Sequence, residues 1–358
     1  MTYLDYAATT PLLPDSLRAM HEAELKYFAN ASALHTPGHL AMNEIERCRE
    51  LLANMIGAST DEIIFTSGAS ESNNTVIRTF EGCIIDTSPL EHHSIIETAK
   101  IYGGVKPPKL YSYMLANNET GEFLDLPQKK EDEYLHSDLT QVLGKIPINV
   151  NTLRLDYATF SAHKIGGPIG VGALYVRNGA PFKPLIVGGN QEKKRRGGTY
   201  NSVGIIGFGA ALNYINDNNT WAKYDNEIRN LRDTLAKRII DEIPGSSLNT
   251  DISRDKSLPN ILNVSFEAAE GESIQLYLDA EGIIVSTGSA CASGDIKPSH
   301  VLMAKTGDAE VAHSSIRFSF SLDSTMADVD RVMEVLPATI AKLQGMSTIK
   351  IKDSYERR

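Results

Sequence analysis

Cysteine and positive charge are scarce in this sequence of 358 residues, and no long hydrophobic run occurs in it. Three cysteines without a Cys-x-x-Cys pair cannot build a disulfide framework, so a reducing compartment, the cytoplasm, is expected. No stretch approaches the length of a membrane span, and the N-terminus lacks a signal-peptide pattern. Because 35 Lys and Arg stand against 45 Asp and Glu, the net charge is −10, and direct nucleic-acid binding is not expected.

What the sequence does contain is the alternating pattern of an α/β protein. Short apolar runs at 63–65 and 172–176 are typical of buried strands, and the apolar spacing over 40–56 predicts an amphipathic helix. Strands that alternate with helices indicate a mainly parallel sheet. The pattern changes beyond residues 220–245, where we expect a second domain to begin.

A short polar turn, Ser67-Gly68-Ala69-Ser70, separates a predicted strand from a predicted helix. Backbone N–H groups at a helix N-terminus, together with hydroxyls, bind anions such as phosphate. The same residues suit a tight turn with a capping serine. Taken alone, the motif leaves both interpretations open.

Lys164 lies in the segment 161–168, which follows another predicted strand. A lysine at a strand end, beside a histidine and before a glycine turn, suits covalent attachment of a carbonyl cofactor. That attachment needs an amine able to lose its proton near neutral pH. By itself, however, the motif more often marks an exposed surface lysine.

Asp138 follows a short apolar segment and precedes Leu139-Thr140-Gln141. A carboxylate at this position can keep a pyridinium nitrogen protonated, which lets a pyridoxal ring accept electrons. An aspartate here can equally cap the next turn, so the motif alone does not decide between the two roles.

Cys291 is surrounded by small residues between Gly288 and Gly294, where a thiol is expected to be accessible. A nucleophilic cysteine must form its thiolate from a free pKa of about 8.5. The alternative is a small packing residue. Cys48, on the apolar face of a predicted helix, and Cys83, in an apolar run, are expected to lie in the core.

In combination, these motifs resemble those of the NifS/IscS-type cysteine desulfurases, pyridoxal-phosphate enzymes of the class-V aminotransferase family. Each match is weak alone, but their joint order and spacing along almost the whole chain are specific. The matching segments are 3–11, 30–38, 66–74, 91–92, 117–121, 138–141, 161–168, 188–192, 196–199, 288–291 and 312–319.

The resemblance implies catalytic roles for Lys164, His92 and Cys291, and cofactor binding for Asp138. Lys164 would bond to the cofactor, Asp138 would pair with its ring nitrogen, and His92 would stack on the ring. Lys164 and His92 would carry protons, and Cys291 would receive the sulfur of L-cysteine as a persulfide while alanine is released. Further implied cofactor-binding residues are Ala69, Ser70, Asn118, Gln141, Ser161, His163 and, toward the phosphate of the second subunit of a homodimer, Thr199.

Substrate binding is implied for Arg317, assisted by Asn30, because an arginine fork suits a carboxylate. The alternation over 316–320 turns Arg317 away from the apolar face of its predicted strand. No metal site is predicted. A sulfur-acceptor protein is the expected partner.

The resemblance also implies the fold of pyridoxal-phosphate enzymes of fold type I. A large cofactor-binding domain over 15–220 would contain a mainly parallel seven-stranded sheet. A smaller α+β domain, formed by 1–14 and 221–358, would carry the Cys291 loop.

The chain departs from the family pattern in its length. Only 26 positions lead from His92 to Asn118 and 20 from there to Asp138, whereas relatives carry more structure in this region. Segments 106–109 and 128–133 are therefore expected to be loops. Ile169 replaces a lysine usual in relatives. The polar C-terminal tail leaves the acceptor open among iron–sulfur assembly, tRNA thiolation and DNA sulfur modification.

Two alternatives to a cysteine desulfurase are compatible with the motifs. A selenocysteine lyase or another fold-type-I enzyme would share the cofactor residues, although a plain aminotransferase needs no nucleophilic thiol. A trimmed, non-catalytic homologue acting as an assembly partner is disfavoured, because all the implied catalytic residues are present.

Overall fold

The computed structural model describes residues 1–288 and 298–347. Its strands are β1 (Thr2–Tyr3), β2 (Ile63–Thr66), β3 (Cys83–Thr87), β4 (Lys106–Ser112), β5 (Tyr134–Asp138), β6 (Tyr157–Ser161), β7 (Gly172–Val176), β8 (Ser246–Leu248), β9 (Ile261–Phe266), β10 (Ile283–Ile284) and β11 (Ser315–Ser319). Its α-helices are α1 (Pro14–Lys26), α2 (Thr36–Ile56), α3 (Ala69–Thr79), α4 (His93–Tyr102), α5 (Ser202–Asp217), α6 (Thr220–Lys223), α7 (Arg229–Glu242), α8 (Gly271–Ala280), α9 (His300–Thr306), α10 (Ala309–His313) and α11 (Met326–Met346).

The chain divides into two compact units, of which the larger comprises residues 9–115 and 124–221. Its six-stranded sheet has the order β2-β7-β6-β5-β4-β3. Strands β3 to β6 run parallel to one another, while β7 runs antiparallel to both of its neighbours, β2 and β6. The α/β class predicted from the alternating pattern is confirmed.

Two expectations about this sheet are wrong. The described residues form six strands rather than seven, because the short connection after His92 holds only α4 and β4, and β4 pairs directly with β3. Segment 106–109 is not a loop but the start of β4. Cys83 pairs with Lys106 and Ile84 with Lys109, so the two intervening prolines bulge from the ladder, where their missing N–H groups are not required.

The carboxyl ends of three strands meet at one edge of this sheet. Thr66, which ends β2, and Ser161, which ends β6, both pair with Gly172. Asp138 ends β5 and pairs with Thr159, two residues before Ser161. Ligands of open α/β sheets bind at such an edge, so the sheet register brings three of the sequence motifs into one region.

Helix α2 illustrates how the local sequence determines an element. His35 precedes it, and the ring Nδ1 accepts the N–H of Gly38 at 3.2 Å. Ile45 and Leu52 lie on its buried face, as the apolar spacing predicted. Gly57 ends the helix at φ 73°, a left-handed conformation that favours glycine.

The smaller unit comprises residues 1–8 and 116–123 and the described residues from 222 onward. It contains an antiparallel sheet in the order β11-β9-β8 and a parallel pair, β1-β10. A π-helical turn, Tyr224–Ile228, connects α6 to α7. Fully buried apolar residues of its core include Leu235, Ile239, Phe266, Ile274, Leu278, Phe318 and Leu336.

The unit boundaries differ from the domain limits expected from the sequence. Residues 9–14 group with the larger unit, and 116–123 with the smaller one. The second difference arises because Ala116 and Phe123 form an antiparallel bridge, and the Phe123 N–H donates to the carbonyl of Lys256 at 2.8 Å. In the described ranges, no helix combines the length and apolar character needed to cross a membrane.

Candidate active site

The turn between β2 and α3 forms a cradle at the N-terminus of α3. Gly68 has a φ of 151°, which favours glycine, and a Cβ added at Gly172 would lie 2.6 Å from the Gly68 Cα. The Ser161 hydroxyl oxygen lies 3.9 Å from the position that a Cβ on Gly68 would occupy. Gly68 is the N-cap residue of α3, so the Ser161 hydroxyl lies beside the helix end at which Ala69 and Ser70 carry the first N–H groups, an arrangement that suits a phosphate group.

Lys164 and His163 lie in a 3₁₀ turn, Ala162–Ile165, that directly follows β6. The N-terminal segment of the unit holds this turn. The Thr10 N–H donates to the carbonyl of His163 at 2.9 Å, and the Thr10 hydroxyl donates to that of Lys164 at 3.1 Å. Thr9 Oγ1 is 3.1 Å from His163 Nδ1. The backbone of Lys164 is therefore fixed beside the phosphate cradle.

A second lysine lies close to this turn. Lys145 is only 2% exposed, and its ammonium group donates to the carbonyl of Gln141 at 3.0 Å. Burial, assisted by the charge of Lys164, lowers the pKa of Lys145 to about 7. Burial and both lysines also lower the pKa of His163 to about 4, so its ring is neutral at pH 7.

Replacing Lys145 with methionine is expected to change how stability depends on pH. In the unfolded chain this amine binds a proton up to its ordinary pKa of 10.5, but in the folded protein only up to about 7. Unfolding between these values takes up a proton, so wild-type stability rises with pH, by at most about 1.4 kcal/mol per pH unit. Urea unfolding of the cofactor-free protein at pH 7.0 and about 8.5 measures this rise, which Lys145→Met should reduce.

The exposed Lys130 provides the control for this experiment. Lys130→Met should keep the wild-type rise in the free energy of unfolding. If Lys145→Met shows the same pH dependence as both other proteins, the buried amine does not titrate as described.

Asp138 is buried at the end of β5, and both of its carboxylate oxygens accept hydrogen bonds. The Thr140 N–H donates to Oδ1 at 2.9 Å, which is the capping contact that the sequence left open. Asn73 Nδ2 donates to Oδ2 at 2.8 Å. Nearby, burial lowers the pKa of His136 to about 4, and its two ring nitrogens contact hydroxyl groups at 2.8 and 3.0 Å.

His92 immediately precedes α4, where it acts as the N-cap residue. Its Nδ1 accepts the N–H of Ser94 at 3.1 Å and lies 2.8 Å from the Ser94 hydroxyl oxygen. The preceding residue, Glu91, is completely buried, and burial raises the pKa of its carboxyl group well above the ordinary value. The Met114 N–H donates to this carboxyl group at 2.6 Å.

The segment that carries Thr199 is anchored by a buried ion pair. Arg49 contacts both carboxylate oxygens of Glu192, at 2.7 and 2.9 Å. Thr199 itself is exposed, as is Asn30, which lies between α1 and α2 and accepts the N–H of Ser32 at 3.0 Å. Within the larger unit, neither position by itself supports the predicted role, which is phosphate binding for Thr199 and substrate binding for Asn30.

Arg317 belongs to the smaller unit, on β11. Its guanidinium donates to the Asp5 carboxylate at 2.7 Å and to the carbonyl of Asn118 at 2.8 Å. Ile316 and Phe318 point into the apolar core, so the predicted alternation is present, although the Arg317 side of the strand is buried as well. Within the described ranges the Arg317 Nε has no hydrogen-bond partner. The fork therefore retains donors for an anionic ligand.

The two cysteines of the described residues, Cys48 and Cys83, differ in burial. Cys48 is buried on α2 as expected, and burial raises the pKa of its thiol to about 12. Cys83 is only partly buried, contrary to expectation, because β3 is the edge of the sheet. Cys291 lies outside the described residues. Its neighbour Gly288 packs against Glu119, whose carboxylate accepts the Ser299 hydroxyl at 2.5 Å.

Sequence reasoning missed several residues of this region. Asp5 belongs to the matched segment 3–11 but received no role of its own, and Lys145 was not considered. Asn73 lies in the matched segment 66–74 without an assignment. A signal for Lys145 was available, since a lysine within an otherwise apolar segment is unusual.

Comparisons with known proteins extend over nearly the full chain. Residues 2–106 and 105–332 match the family described as aminotransferase class-V. The cysteine desulfurase IscS of Dictyoglomus turgidum is 41% identical, over 97% of this chain and 96% of that protein. A solved NifS-like protein from Rickettsia africae has a TM-score of 0.86 at 31% identity, covering 95% of this chain and 99% of the other. SspA in complex with cysteine has a TM-score of 0.74 at 30% identity, covering 89% and 99%.

The chain therefore belongs to the class-V aminotransferases and, within them, to the NifS/IscS-type cysteine desulfurases. The family predicted from the motifs is confirmed. So is fold type I, the fold of pyridoxal-phosphate-dependent enzymes to which the solved relatives belong.

Proposed function

We propose that this chain removes sulfur from L-cysteine with pyridoxal phosphate, releases L-alanine and holds the sulfur as a persulfide on Cys291. The observation that carries the proposal is the common sheet edge at which Asp138, Ser161 and the Lys164 turn lie, in a chain 41% identical to a cysteine desulfurase. The cysteine complex of the related SspA supports cysteine as the substrate.

The residues of the larger unit fit pyridoxal phosphate. The cradle of α3 and Ser161 suits its phosphate, Asp138 offers a buried carboxylate to its ring nitrogen, and Lys164 offers an amine to its aldehyde. Gln141 and, from the smaller unit, Asn118 are proposed to contact the ring hydroxyl. When bound, this cofactor withdraws electrons from the substrate carbon atoms and so makes proton loss from Cα favourable.

The side chains of the protein then bind the substrate and move protons. Arg317, with Asn30, is proposed to hold the substrate carboxylate through its remaining N–H donors. The Lys164 amine takes the proton from Cα and returns a proton to the substrate skeleton. His92 supplies the second proton-transfer group near the cofactor ring.

In the sulfur-transfer step, the Cys291 thiolate attacks the sulfur of the substrate. An S–S bond forms as the C–S bond breaks, and the electron pair of that bond remains on the carbon fragment, which takes up a proton at Cβ to become alanine. The Cys291 sulfur and the substrate sulfur are each oxidised by one electron, and the Cβ atom gains both electrons. No external oxidant or reductant is required.

Replacing Cys291 with serine tests this assignment. Incubation with cysteine and pyridoxal phosphate, followed by assays of alanine and sulfide, should show a fall of about 10³-fold or more, the order expected for a lost nucleophile. Mass spectrometry of the wild type should find the added sulfur atom on the Cys291 peptide. Cys83→Ser, which removes another partly accessible thiol, should leave both products unchanged.

Equal sulfide release by wild type and Cys291→Ser would contradict the role of Cys291. Faster alanine formation from selenocysteine than from cysteine, unaffected by Cys291→Ser, would indicate a selenocysteine lyase instead.

A homodimer is proposed on the basis of exposed apolar surface in the larger unit. Large apolar side chains that are exposed there in the single chain include Leu17, Leu25, Phe28, Leu34, Ile169 and Val187. Surface of this kind is typical of protein interfaces. In the proposed dimer the exposed Thr199 reaches the phosphate of the second subunit, and His163 completes the phosphate contacts within its own chain.

The acceptor of the persulfide sulfur is proposed to be another protein, in a cytoplasmic setting. The relative from Dictyoglomus turgidum is a cysteine desulfurase IscS, which supports a role in iron–sulfur assembly. Cys48 and Cys83 are free thiols, which agrees with a reducing compartment.

A further inference from the structure

We infer that Asn73 and Ser94 are positioning residues that link Asp138 to His92 and hold the neutral His92 ring in the tautomer protonated at Nε2. The importance of this link for catalysis rests on the proposed function, because Asp138 and His92 receive their roles there. The link itself is a property of the larger unit.

Asn73 occupies the centre of this link. It lies on α3, is completely buried, and its Nδ2 donates to Asp138 Oδ2 at 2.8 Å and to Ser94 Oγ at 2.9 Å. An ionised carboxylate only accepts hydrogen bonds, so the amide must present its NH₂ group to Asp138. Both amide hydrogens are thereby used.

The other end of the Asn73 amide supports the same orientation. Its Oδ1 is buried and has no hydrogen-bond partner among residues 1–288 and 298–347. A buried acceptor without a partner is unfavourable. The amide therefore keeps this orientation because of its two donated bonds, which join Asp138 to Ser94.

The Ser94 hydroxyl connects Asn73 to His92, because it accepts a hydrogen bond from one and can donate to the other. Since the Ser94 oxygen accepts from Asn73, its own hydroxyl hydrogen is available for His92 Nδ1, 2.8 Å away. The Ser94 backbone N–H also points to Nδ1, at 3.1 Å. A ring nitrogen that accepts from two donors carries no proton, so the neutral ring bears its hydrogen on Nε2.

Asp138 and His92, which are both proposed to contact the cofactor ring, are therefore linked by one chain of hydrogen bonds. Asp138 determines the orientation of the Asn73 amide. Asn73 in turn determines the orientation of the Ser94 hydroxyl, and that hydroxyl determines the tautomer of His92. His92 therefore offers a proton from Nε2 and does not accept one there while it is neutral.

The tautomer can be measured directly in the cofactor-loaded protein. Histidine labelled with ¹⁵N reports on each ring nitrogen in long-range ¹H–¹⁵N NMR spectra, and His92→Gln identifies the His92 signals. The wild type should show the Nε2–H tautomer. In Ser94→Ala the Nδ1 signal should move toward that of a protonated nitrogen, with kcat about 10-fold lower and the KM for cysteine changed by less than about 2-fold.

Matched variants separate this role from general damage to the fold. Ser94→Thr keeps the hydroxyl and should retain the wild-type tautomer. Thr75→Val, on α3 like Asn73, removes a buried hydroxyl that donates to the carbonyl of Glu71 and should change neither spectrum nor kinetics. Asn73→Leu should shift the Nδ1 signal in the same direction as Ser94→Ala and alter the visible absorption of the bound cofactor.

An Nδ1–H tautomer in the wild type, or an unchanged His92 spectrum in Ser94→Ala, would overturn the inference. The two proposals fail separately. A protein with the expected tautomer but no desulfurase activity would contradict the proposed function and leave the link intact.

Discussion

Lys164→Ala is expected to reduce alanine formation from cysteine by about 10³-fold or more, because the variant lacks the amine proposed to bond to the cofactor and to move the Cα proton. The purified variant should also lose the yellow colour expected of the wild type. The turn that carries Lys164 is held by backbone contacts with Thr10 and by Gly166, at φ 78°, so truncation of the side chain should leave the fold unchanged. Alanine assays and visible absorption spectra measure the two effects.

Lys164→Arg separates the charge of this side chain from its chemistry. Arginine keeps the positive charge but does not lose a proton in proteins, so its activity should fall as far as that of Lys164→Ala. The exposed Lys130→Met variant should retain wild-type colour and rate. Residual activity of Lys164→Arg within about 10-fold of the wild type would rule out Lys164 as the reacting amine.

Arg317→Lys is expected to raise the KM for cysteine by about 10- to 100-fold, with a smaller change in kcat. Hydrogen bonds to charged groups each contribute about 1.5–3 kcal/mol. Arg317 already donates to Asp5 and to the carbonyl of Asn118, and a lysine ammonium has no planar fork to keep both contacts and bind a carboxylate bidentately. Steady-state kinetics with cysteine measure this loss.

The methyl ester of cysteine provides the decisive comparison, because it lacks the carboxylate. Wild type and Arg317→Lys should use the ester with similar, poor efficiency. Arg331→Lys, at a partly exposed arginine on α11 paired with Glu281 and Glu334, serves as the control and should leave the KM unchanged. An equal loss for cysteine and its ester in Arg317→Lys would mean that Arg317 does not bind the carboxylate.

The sequence predicted those parts of the fold that depend on local pattern. Helix α2, with its buried face and its stop at Gly57, follows from apolar spacing and one glycine. The strand before Lys164 and the turn that contains it follow from the motif 161–168. These features require only neighbouring residues, and the family resemblance placed them correctly in an α/β protein.

Features that depend on distant residues could not be predicted in this way. Asn73 meets Asp138 across 65 positions, and the spacing of residues does not indicate such a contact. The short spacing between His92 and Asn118 favoured a loop at 106–109, yet pairing with β3 made this segment the start of a strand. The partial exposure of Cys83 likewise depends on its position at a sheet edge, which only the strand order reveals.

The position of β3 at the border of the sheet explains how the chain can be short and still keep its chemistry. Asp138 and Ser161 lie on β5 and β6, and β4 separates both strands from β3. Removing an outer strand on the β3 side leaves the pairing of β5 with β6 intact, and with it the spacing of the reactive groups. The fold can therefore lose a strand at the β3 border of the sheet during evolution, while loss of β2, beside β7, would disrupt the phosphate cradle.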